Sequence, residues 1–401
     1  MASSPDVSHA ASRPWHLPMA GRDPDEAHRA STPLELLFDL CFVVAVSQAA
    51  AALHHDLSDG AVGHAVVSYL FVFFAIWWPW VNFTWFASAY DTDDVLYRLL
   101  AFVQIVGVLI VAAGVPRAFE DFDFSVMLVG YVVMRLSLVA LWVRATLEDP
   151  VGRPVATRFA VGIALLQLAW VVWVLIGAPL GSLGFLLLVG AELLIPVWAE
   201  RAGRHTPWHP EHVAERYGLF TIIVLGEVVL AISTAIQVGL AQGALVAEVL
   251  AIGAGGLMLV FGLWWLYFKR PLRASHDRPL WANIAWGYGH YVVFASIAAL
   301  GAGLQVAVDT THASSELVGA RAALTVAIPV AIYLVSIGVL HARPLTLRSL
   351  RLVVVTALLV VLAAFGANVV GVPAAVLVMG LLVSASVAVL VVTLGRREAT
   401  A

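Results

Sequence analysis

The sequence predicts an all-α fold, a polytopic membrane helical bundle of about twelve transmembrane helices with a parallel six-plus-six internal repeat. Its composition is 61% hydrophobic and 12% charged, with a mean hydropathy of +0.93, whereas soluble domains contain about 25% charged residues. A helix of about 20 apolar residues crosses the roughly 30 Å hydrocarbon core of a bilayer. Runs that reach this length are predicted near 33–53, 64–89, 96–116, 124–146, 156–178, 181–200, 213–237, 245–268, 282–304, 320–341, 348–370 and 372–395.

The basic residues alternate between the two sides of these spans. Of the 22 lysines and arginines, 19 lie on the side of the termini, Arg117 and Arg321 lie on the other side, and Arg135 lies inside a span. Because short cytoplasmic loops carry an excess of Lys and Arg, both termini are predicted to be cytoplasmic. The polar first 30 residues contain no apolar core, so we expect no cleaved signal peptide. The predicted segments are a cytoplasmic N-terminal tail (1–31), a first repeat (32–200), a second repeat (201–395) and a short cytoplasmic C-terminal tail (396–401).

The first span contains two carboxylates, Glu35 and Asp39. Their i, i+4 spacing places both on one helical face, and the cost of a carboxylate in lipid predicts that this face meets the protein interior or a wet cavity. An alternative for Glu35 is that it caps the helix behind Ser31, Thr32 and Pro33.

An internal repeat is suggested by similar spacings in the two halves. Asp39 precedes Trp77 by 38 positions, and Glu227 precedes Trp264 by 37. Two six-span halves would be related by an axis along the membrane normal. The alternative is that tryptophans near span ends only form interfacial belts.

A further charge lies near the middle of the fourth span. The guanidinium of Arg135 stays charged and is too deep to reach the surface easily, so it needs an acidic partner, with Asp39, Glu192 and Glu227 available. The pair would either fix helix register or belong to a transport path.

Histidines offer weaker candidates. His209, His212 and Glu215 at i, i+3, i+6 could hold a metal ion, but an interfacial polar cap that includes Arg216 is the preferred interpretation, and no metal is predicted. His290 could titrate beside a carboxylate or be a neutral, hydrogen-bonded core residue.

No motif in the sequence argues for catalysis. There is no Gly-rich phosphate loop, no Ser-His-Asp arrangement and no CxxC, so we predict that the chain is not an enzyme and takes no cofactor. An intramembrane enzyme acting on lipid through His209, His212 and Glu215 is the remaining catalytic alternative.

Several ordered motifs across about the first 305 residues resemble the bacterial low temperature requirement protein A (LtrA) family. The segments that carry the resemblance are TPLELLFDLCFVVAVSQ, WWPWVNFTWFASAYDTDD, HVAERYGLFTIIVLGEVVLAIS, GLWWLYF and GYGHYVVFASIAALGAGL. The first motif reads LLFD where LFFD is more usual, a change that affects packing more than charge. The resemblance implies a multi-pass bacterial inner-membrane protein linked by family name to growth in the cold. Its recurrent positions correspond to Glu35, Asp39, Asp91, Asp93, Asp94, Arg135, Glu215, Arg216, Glu227, Trp264 to Phe268, Tyr288 and His290.

The segment FDLCFVVAVS is also similar to the first-span motif of the two-repeat potassium channels of lysosomes and bacteria. Those channels form an apolar constriction from the first span of each repeat. That similarity implies that Val43 and Val46, opposite Leu230 and Ser233, would face a pore.

The function predicted from these features is transport of an ion or small solute. The predicted path residues are Glu35, Asp39, Arg135, Glu227 and His290, and the predicted cytoplasmic motif consists of Asp91, Asp93, Asp94, His212, Glu215 and Arg216. The expected partners are the lipid bilayer and an unidentified ion or solute, with no nucleic acid, and the oligomeric state is left open. The alternative is a non-transporting stress or sensory protein whose buried charges are structural.

Overall fold

A computed structural model describes residues 14–23, 26, 29–269, 278–340 and 347–398 of the chain. Within these ranges the chain forms twelve α-helices and a short 3-10 helix, with no β-strand. The helices are α1 (Pro33–Ser58), α2 (Val62–Tyr90), α3 (Val95–Glu120), α4 (Ser125–Glu148), α5 (Arg153–Leu175), α6 (Ser182–Glu200), α7 (Pro210–Ala241), α8 (Val246–Phe268), α9 (Leu280–Asp309), α10 (Gly319–Leu340), α11 (Leu347–Val370) and α12 (Val372–Glu398).

All twelve helices are long and apolar enough to cross a membrane. The predicted all-α bundle of twelve spans is therefore confirmed, and each predicted span overlaps one helix. The largest extensions are at α1 and α9, which continue five residues past their predicted ends, and at α7, which is three residues longer at its start and four at its end. The cytoplasmic placement of the termini stays a prediction. Parts of both predicted tails lie outside the described residues, as do Arg13, Arg270, Arg273 and Arg343 from the basic loops.

The first helix is central to the packing of the bundle. α1 contacts α2 and α3 within the first half, and it also contacts α7 and α9 of the second half. The face of α1 that meets these helices carries Phe38, Phe42, Ala45, Val46 and Ala49, all buried. α1 thus forms the main junction between the two halves through its contacts with α7 and α9.

Helix neighbours follow the same order in the two halves. The contacts α1 with α3, α3 with α4 and α4 with α5 have counterparts in α7 with α9, α9 with α10 and α10 with α11. However, Asp39 lies two turns from the start of α1, whereas Glu227 lies near the middle of α7. The two carboxylates are therefore at different depths and are not equivalent positions of a repeat. The internal repeat itself stays a prediction.

The tryptophans whose spacing suggested the repeat also differ between the halves. Trp77 and Trp78 are both 1% exposed and pack against Tyr288 and Tyr291, whereas about two fifths of Trp264 is exposed near the end of α8. The first pair is therefore part of the core rather than an interfacial belt.

Candidate functional site

The helices α1 and α7 start with the same local pattern. Each has a capping residue whose side chain accepts a hydrogen bond from the backbone, followed by proline as the first helical residue; the caps are Thr32 and His209. Proline suits this position because its φ is already helical and its missing N–H has no partner there. Both helices start on the side of the chain's N-terminus and they pack against each other, so residues equally far from the two caps lie at similar depth.

This shared register brings opposite charges together. Glu35 and His212 are each three residues after the cap, and Asp39 and Arg216 are each seven residues after it. The nitrogen Nε of Arg216 donates to Oδ2 of Asp39 at 2.9 Å, and the Nη1 nitrogen lies 3.0 Å from Oε1 of Glu35. Acids on one helix thus face bases on the other.

The Asp39–Arg216 pair is removed from solvent and completed by an aromatic donor. Both residues are 0% exposed. The indole N–H of Trp80 donates to Oδ1 of Asp39 at 2.7 Å, so this oxygen receives bonds from two helices, α2 and α7. Such charge-assisted bonds to a carboxylate are stronger than neutral ones.

Glu35 has both of the roles that the sequence left open. It forms a capping box with Thr32, since Glu35 N donates to Oγ1 of Thr32 and Thr32 N donates to Oε2 of Glu35 at 2.8 Å. The same carboxylate lies 3.1 Å from Nε2 of His212 and contacts Arg216. The capping box therefore fixes the side chain that joins the buried charges.

A second buried pair lies elsewhere in the bundle. Arg135 of α4 bonds to Glu192 of α6, and not to Asp39 or Glu227. The indole N–H of Trp78 donates to Glu192 at 2.8 Å, and that of Trp170 donates to it at 3.3 Å. This pair joins α4 and α6 to α2 and α5, as a register-fixing pair would.

Glu227 differs from these carboxylates. It is half-buried, near the middle of α7, and it accepts a hydrogen bond of 2.6 Å from the hydroxyl of Ser47 on α1. Among the described residues no cationic side chain pairs with it. A carboxylate at this depth without a counter-charge is costly in a bilayer.

The exposed side chains near Glu227 differ in polarity between its two sides along the membrane normal. Toward the end of α7 it carries Thr234 and Gln237, and α1 adds Gln48 and His55 in the same direction. Toward the start of α1 the exposed positions are apolar, namely Leu36, Leu37, Leu40 and Val44. Exposed polar side chains therefore lie on one side of Glu227, beside the exposed Leu230 and Val238, whereas the exposed positions of α1 on its other side are apolar.

The four residues proposed as pore-facing by similarity to the potassium channels do not share one environment. Val46 is 0% exposed and Val43 is partly buried, whereas Leu230 is 59% exposed and Ser233 is exposed. Val46 packs in the core and Leu230 lies on the outer surface, so the pore-facing role of these residues stays a prediction.

His290 lies in an aromatic environment. It is fully buried and its Nδ1 lies 2.8 Å from the carbonyl oxygen of Trp286, while Tyr217 and Phe294 pack around the ring. Its geometry is that of a hydrogen-bonded core histidine.

The described residues do not form the metal site that His209, His212 and Glu215 offered as an alternative in the sequence. His209 caps α7 through Nδ1, His212 faces Glu35, and Glu215 is exposed. Over the described part of the chain, no group of three histidine, cysteine or acidic side chains is arranged to hold a metal ion.

The acids after α2 stabilise the turn into α3. Asp94 caps α3 by accepting from Tyr97 N at 2.8 Å, and it pairs with Arg144 of α4 at 2.5 Å. Asp93 pairs with Arg98 in a more exposed position, and Asp91 lies 3.7 Å from Arg29. These acids bind neighbouring segments of the chain itself.

The segment before α1 is held by this same region, which the sequence did not indicate. Leu17 N donates to Asp94 at 2.8 Å, Met19 N donates to Glu148, and Arg22 N donates to the carbonyl of Ala89 at 2.9 Å. The side chain of Arg29 is buried and donates to backbone carbonyls at the end of α2. We call residues 14–23 the N-terminal strap.

Trp78, Trp80 and Ser47 are further residues of the site that the sequence did not single out. Indole and hydroxyl donors carry no charge, so nothing in the sequence marks which of the 14 tryptophans bind a carboxylate. The arginine that pairs with Asp39 did have a signal, the identical distance from two helix-starting prolines.

Comparison with known proteins gives one family. The sequence model of the bacterial low temperature requirement A protein (LtrA) matches residues 30–394. An uncharacterized protein of Rhizobium meliloti (strain 1021) is 30% identical over 286 residues, which cover 67% of this chain and 67% of that protein. The family match includes the last three spans, which carry no motif recognised in the sequence.

We predict that Asp39→Asn lowers the free energy of unfolding by about 3–5 kcal/mol, because it leaves Arg216 short of a buried counter-charge. The neighbouring exposed acid provides the control, since Glu215→Gln should change stability by about 0.5 kcal/mol or less. Thermal unfolding of the two purified variants in the same detergent measures both. Equal midpoints for the two variants would contradict a structural role for Asp39.

We predict that Asp94→Asn loosens the N-terminal strap while keeping the cap of α3, because asparagine also caps helices. Trypsin should then cleave after Arg22 several-fold faster than in the wild type. Asp93→Asn is the matched control, since its partly exposed pair with Arg98 contributes little. Equal cleavage rates in the two variants would refute the role of Asp94 in holding the N-terminal strap.

The contact of the strap with Asp94 should be insensitive to pH near neutrality. Burial raises the pKa of Asp94, but the bonds from Arg144, Leu17 and Tyr97 outweigh it, so the pKa lies below its ordinary value. A depressed pKa gives stabilisation that is complete above the unfolded value of about 4 and is lost as the pH falls through the folded value. The test uses a His16→Gln variant, because His16 is the histidine of the strap and lies 2.8 Å from Glu148. In this variant, trypsin cleavage after Arg22 should show no protection change between pH 6 and 8 beyond that of an unfolded control peptide.

Proposed function

The chain belongs to the bacterial low temperature requirement A (LtrA) family, and from that membership and the geometry around Glu227 we propose that it transports an ion or a small solute across the membrane. We further propose an inner-membrane location with both termini cytoplasmic, because 19 of the 22 basic residues lie on the side of the termini.

The observation that carries the transport proposal is the state of Glu227. The other mid-membrane acids are neutralised by arginines, Asp39 by Arg216 and Glu192 by Arg135. Glu227 is half-buried, and its hydrogen-bond partner is the neutral hydroxyl of Ser47. A carboxylate that lacks a protein counter-charge favours a cation or a proton as the transported species.

Access to Glu227 supports the same proposal. The exposed polar side chains Gln48, Thr234 and Gln237 lie between Glu227 and the membrane face opposite the basic loops. Exposed polar groups would be costly against acyl chains, so we propose that water reaches Glu227 from this face. Toward the other face, the exposed side chains of Leu40 and Val44 are apolar, so we expect no hydrated route to Glu227 on that side.

This proposal narrows the set of path residues. Glu35, Asp39 and Arg135 hold the bundle together, and His290 packs among aromatic rings. They position the helices that carry Glu227, so we expect their substitution to act through folding.

The second candidate is a membrane protein without transport activity, in a stress or sensory role. The observation that favours it is that Arg135 and Arg216, the two arginines that are 1% exposed or less, are paired within the chain itself. It predicts that no charged residue of the bundle controls a flux.

We predict that Glu227→Gln abolishes transport without lowering stability, because the amide cannot bind a cation or a proton as the carboxylate does. The measurement is flux of K⁺, Na⁺ and H⁺ into liposomes that contain the purified protein. The matched control is Glu248→Gln, which removes a partly buried carboxylate at the start of α8. Thermal midpoints of both variants should match the wild type.

Two results would decide against the proposal. Wild-type flux that persists in Glu227→Gln would remove Glu227 from the path. Absence of flux of all three ions in the folded wild type would overturn cation or proton transport and favour the second candidate.

A further inference from the structure

An apolar groove lies in the half of the bundle opposite the basic loops. It has a volume of about 360 Å³ and is lined by side chains from α1, α2, α9 and α10. Its walls include Leu57, Val66, Leu70, Val292 and Ile328. Of these, Val66, Leu70, Val292 and Ile328 are each about two fifths exposed on helices that cross the membrane, so the groove opens sideways to lipid.

Apart from Arg321 at its mouth, the polar groups in the groove wall are already satisfied. The hydroxyl of Tyr69 donates to the carbonyl of Ala295 and the hydroxyl of Tyr291 donates to that of Leu70, both at 2.7 Å. The hydroxyls of Ser296 and Thr325 donate to carbonyls of the preceding turn of their own helices. Because these side chains have no donor left to offer, the wall below Arg321 favours a hydrocarbon occupant.

The groove is as long as one leaflet is thick. Arg321 lies near the start of α10 and Ile332 lies deepest along that helix; both line the groove. Eleven residues at about 1.5 Å each separate them by about 16 Å, and half of the hydrocarbon core is about 15 Å. One acyl chain of a phospholipid therefore matches its depth.

Two opposite charges flank the mouth. Arg321 lines the groove and is exposed, and among the described residues it has no acidic partner. Glu316 is exposed, lies against Gly60 at the turn between α1 and α2, and forms no ion pair within the described part of the chain. By contrast, Arg117, the other basic residue on this side, pairs with Asp123 at 2.7 Å.

We propose that this groove binds a zwitterionic phospholipid whose headgroup carries a phosphate and a primary ammonium. One acyl chain lies along α10, the phosphate accepts from the guanidinium of Arg321, and the ammonium faces Glu316. Arginine suits a phosphate because its planar fork donates two parallel bonds. The negative charge of Glu316 selects against a headgroup that carries only negative charge.

The test is native mass spectrometry of the full chain in detergent, with phosphatidylethanolamine and phosphatidylglycerol of identical acyl chains added separately. The wild type should retain at least threefold more phosphatidylethanolamine than phosphatidylglycerol. Arg321→Gln should lower retention of both lipids, and Glu316→Gln should remove or reverse the preference. Arg117→Gln is the control for loss of a positive charge on this side.

Val66→Trp tests the groove itself, because the larger side chain would fill the space in which the acyl chain is proposed to lie. Its control is Val67→Trp, one position along α2, which is equally exposed and does not line the groove. Loss of retention in Val66→Trp with none in Val67→Trp would support the site. Equal retention in those two variants, unchanged retention in Arg321→Gln, or a wild-type preference for phosphatidylglycerol would each overturn it.

Discussion

The structure depends first on the contact between the carboxylate of Asp39 and the guanidinium of Arg216. Two ions can be buried at this depth only if each satisfies the other, since removing a partner leaves an uncompensated charge in a medium of low polarity. Their pairing requires α1 and α7 to be parallel, adjacent and in one register. Trp80 adds α2 to the same contact. One interaction thus fixes the junction of the two halves, and a shift of either helix by one turn would break it.

Charge in this bundle is therefore of two kinds. Paired groups, Arg216 with Asp39 and Arg135 with Glu192, connect helices and are enclosed by tryptophan donors. Glu227 connects α1 and α7 only through the neutral hydroxyl of Ser47. A residue that is costly in lipid and contributes no ion pair is not explained by the stability of the fold, which is why the functional argument rests on it.

Sequence reasoning was most successful where a single physical requirement dominates. Crossing the membrane requires long apolar helices, so the number and position of the spans followed from hydropathy alone. The need of Arg135 for an acid was also readable, but its choice of Glu192 depends on how α4 and α6 pack, which no local pattern specifies. The predicted internal repeat pairs Asp39 with Glu227 because both are acids. Alignment of Pro33 with Pro210 instead places Asp39 opposite Arg216, since equal distance from a helix start means equal depth in parallel helices. The contacts of the N-terminal strap could not be predicted from the sequence, because they are made largely by backbone N–H groups, which carry no sequence signal.

The buried pair also restricts how Glu227 could pass an ion from one side to the other. Separating α1 from α7 would expose or orphan Asp39 and Arg216, at a cost of about 3–5 kcal/mol. A cycle that avoids this cost keeps α1 and α7 together and changes their contacts with other helices. The apolar exposed surface formed by Leu40 and Val44 lies between Glu227 and the side of the buried pair, and it carries no bond that such a movement would break. Opening on that side therefore requires displacement of apolar contacts only, while the charges that define the helix register stay paired.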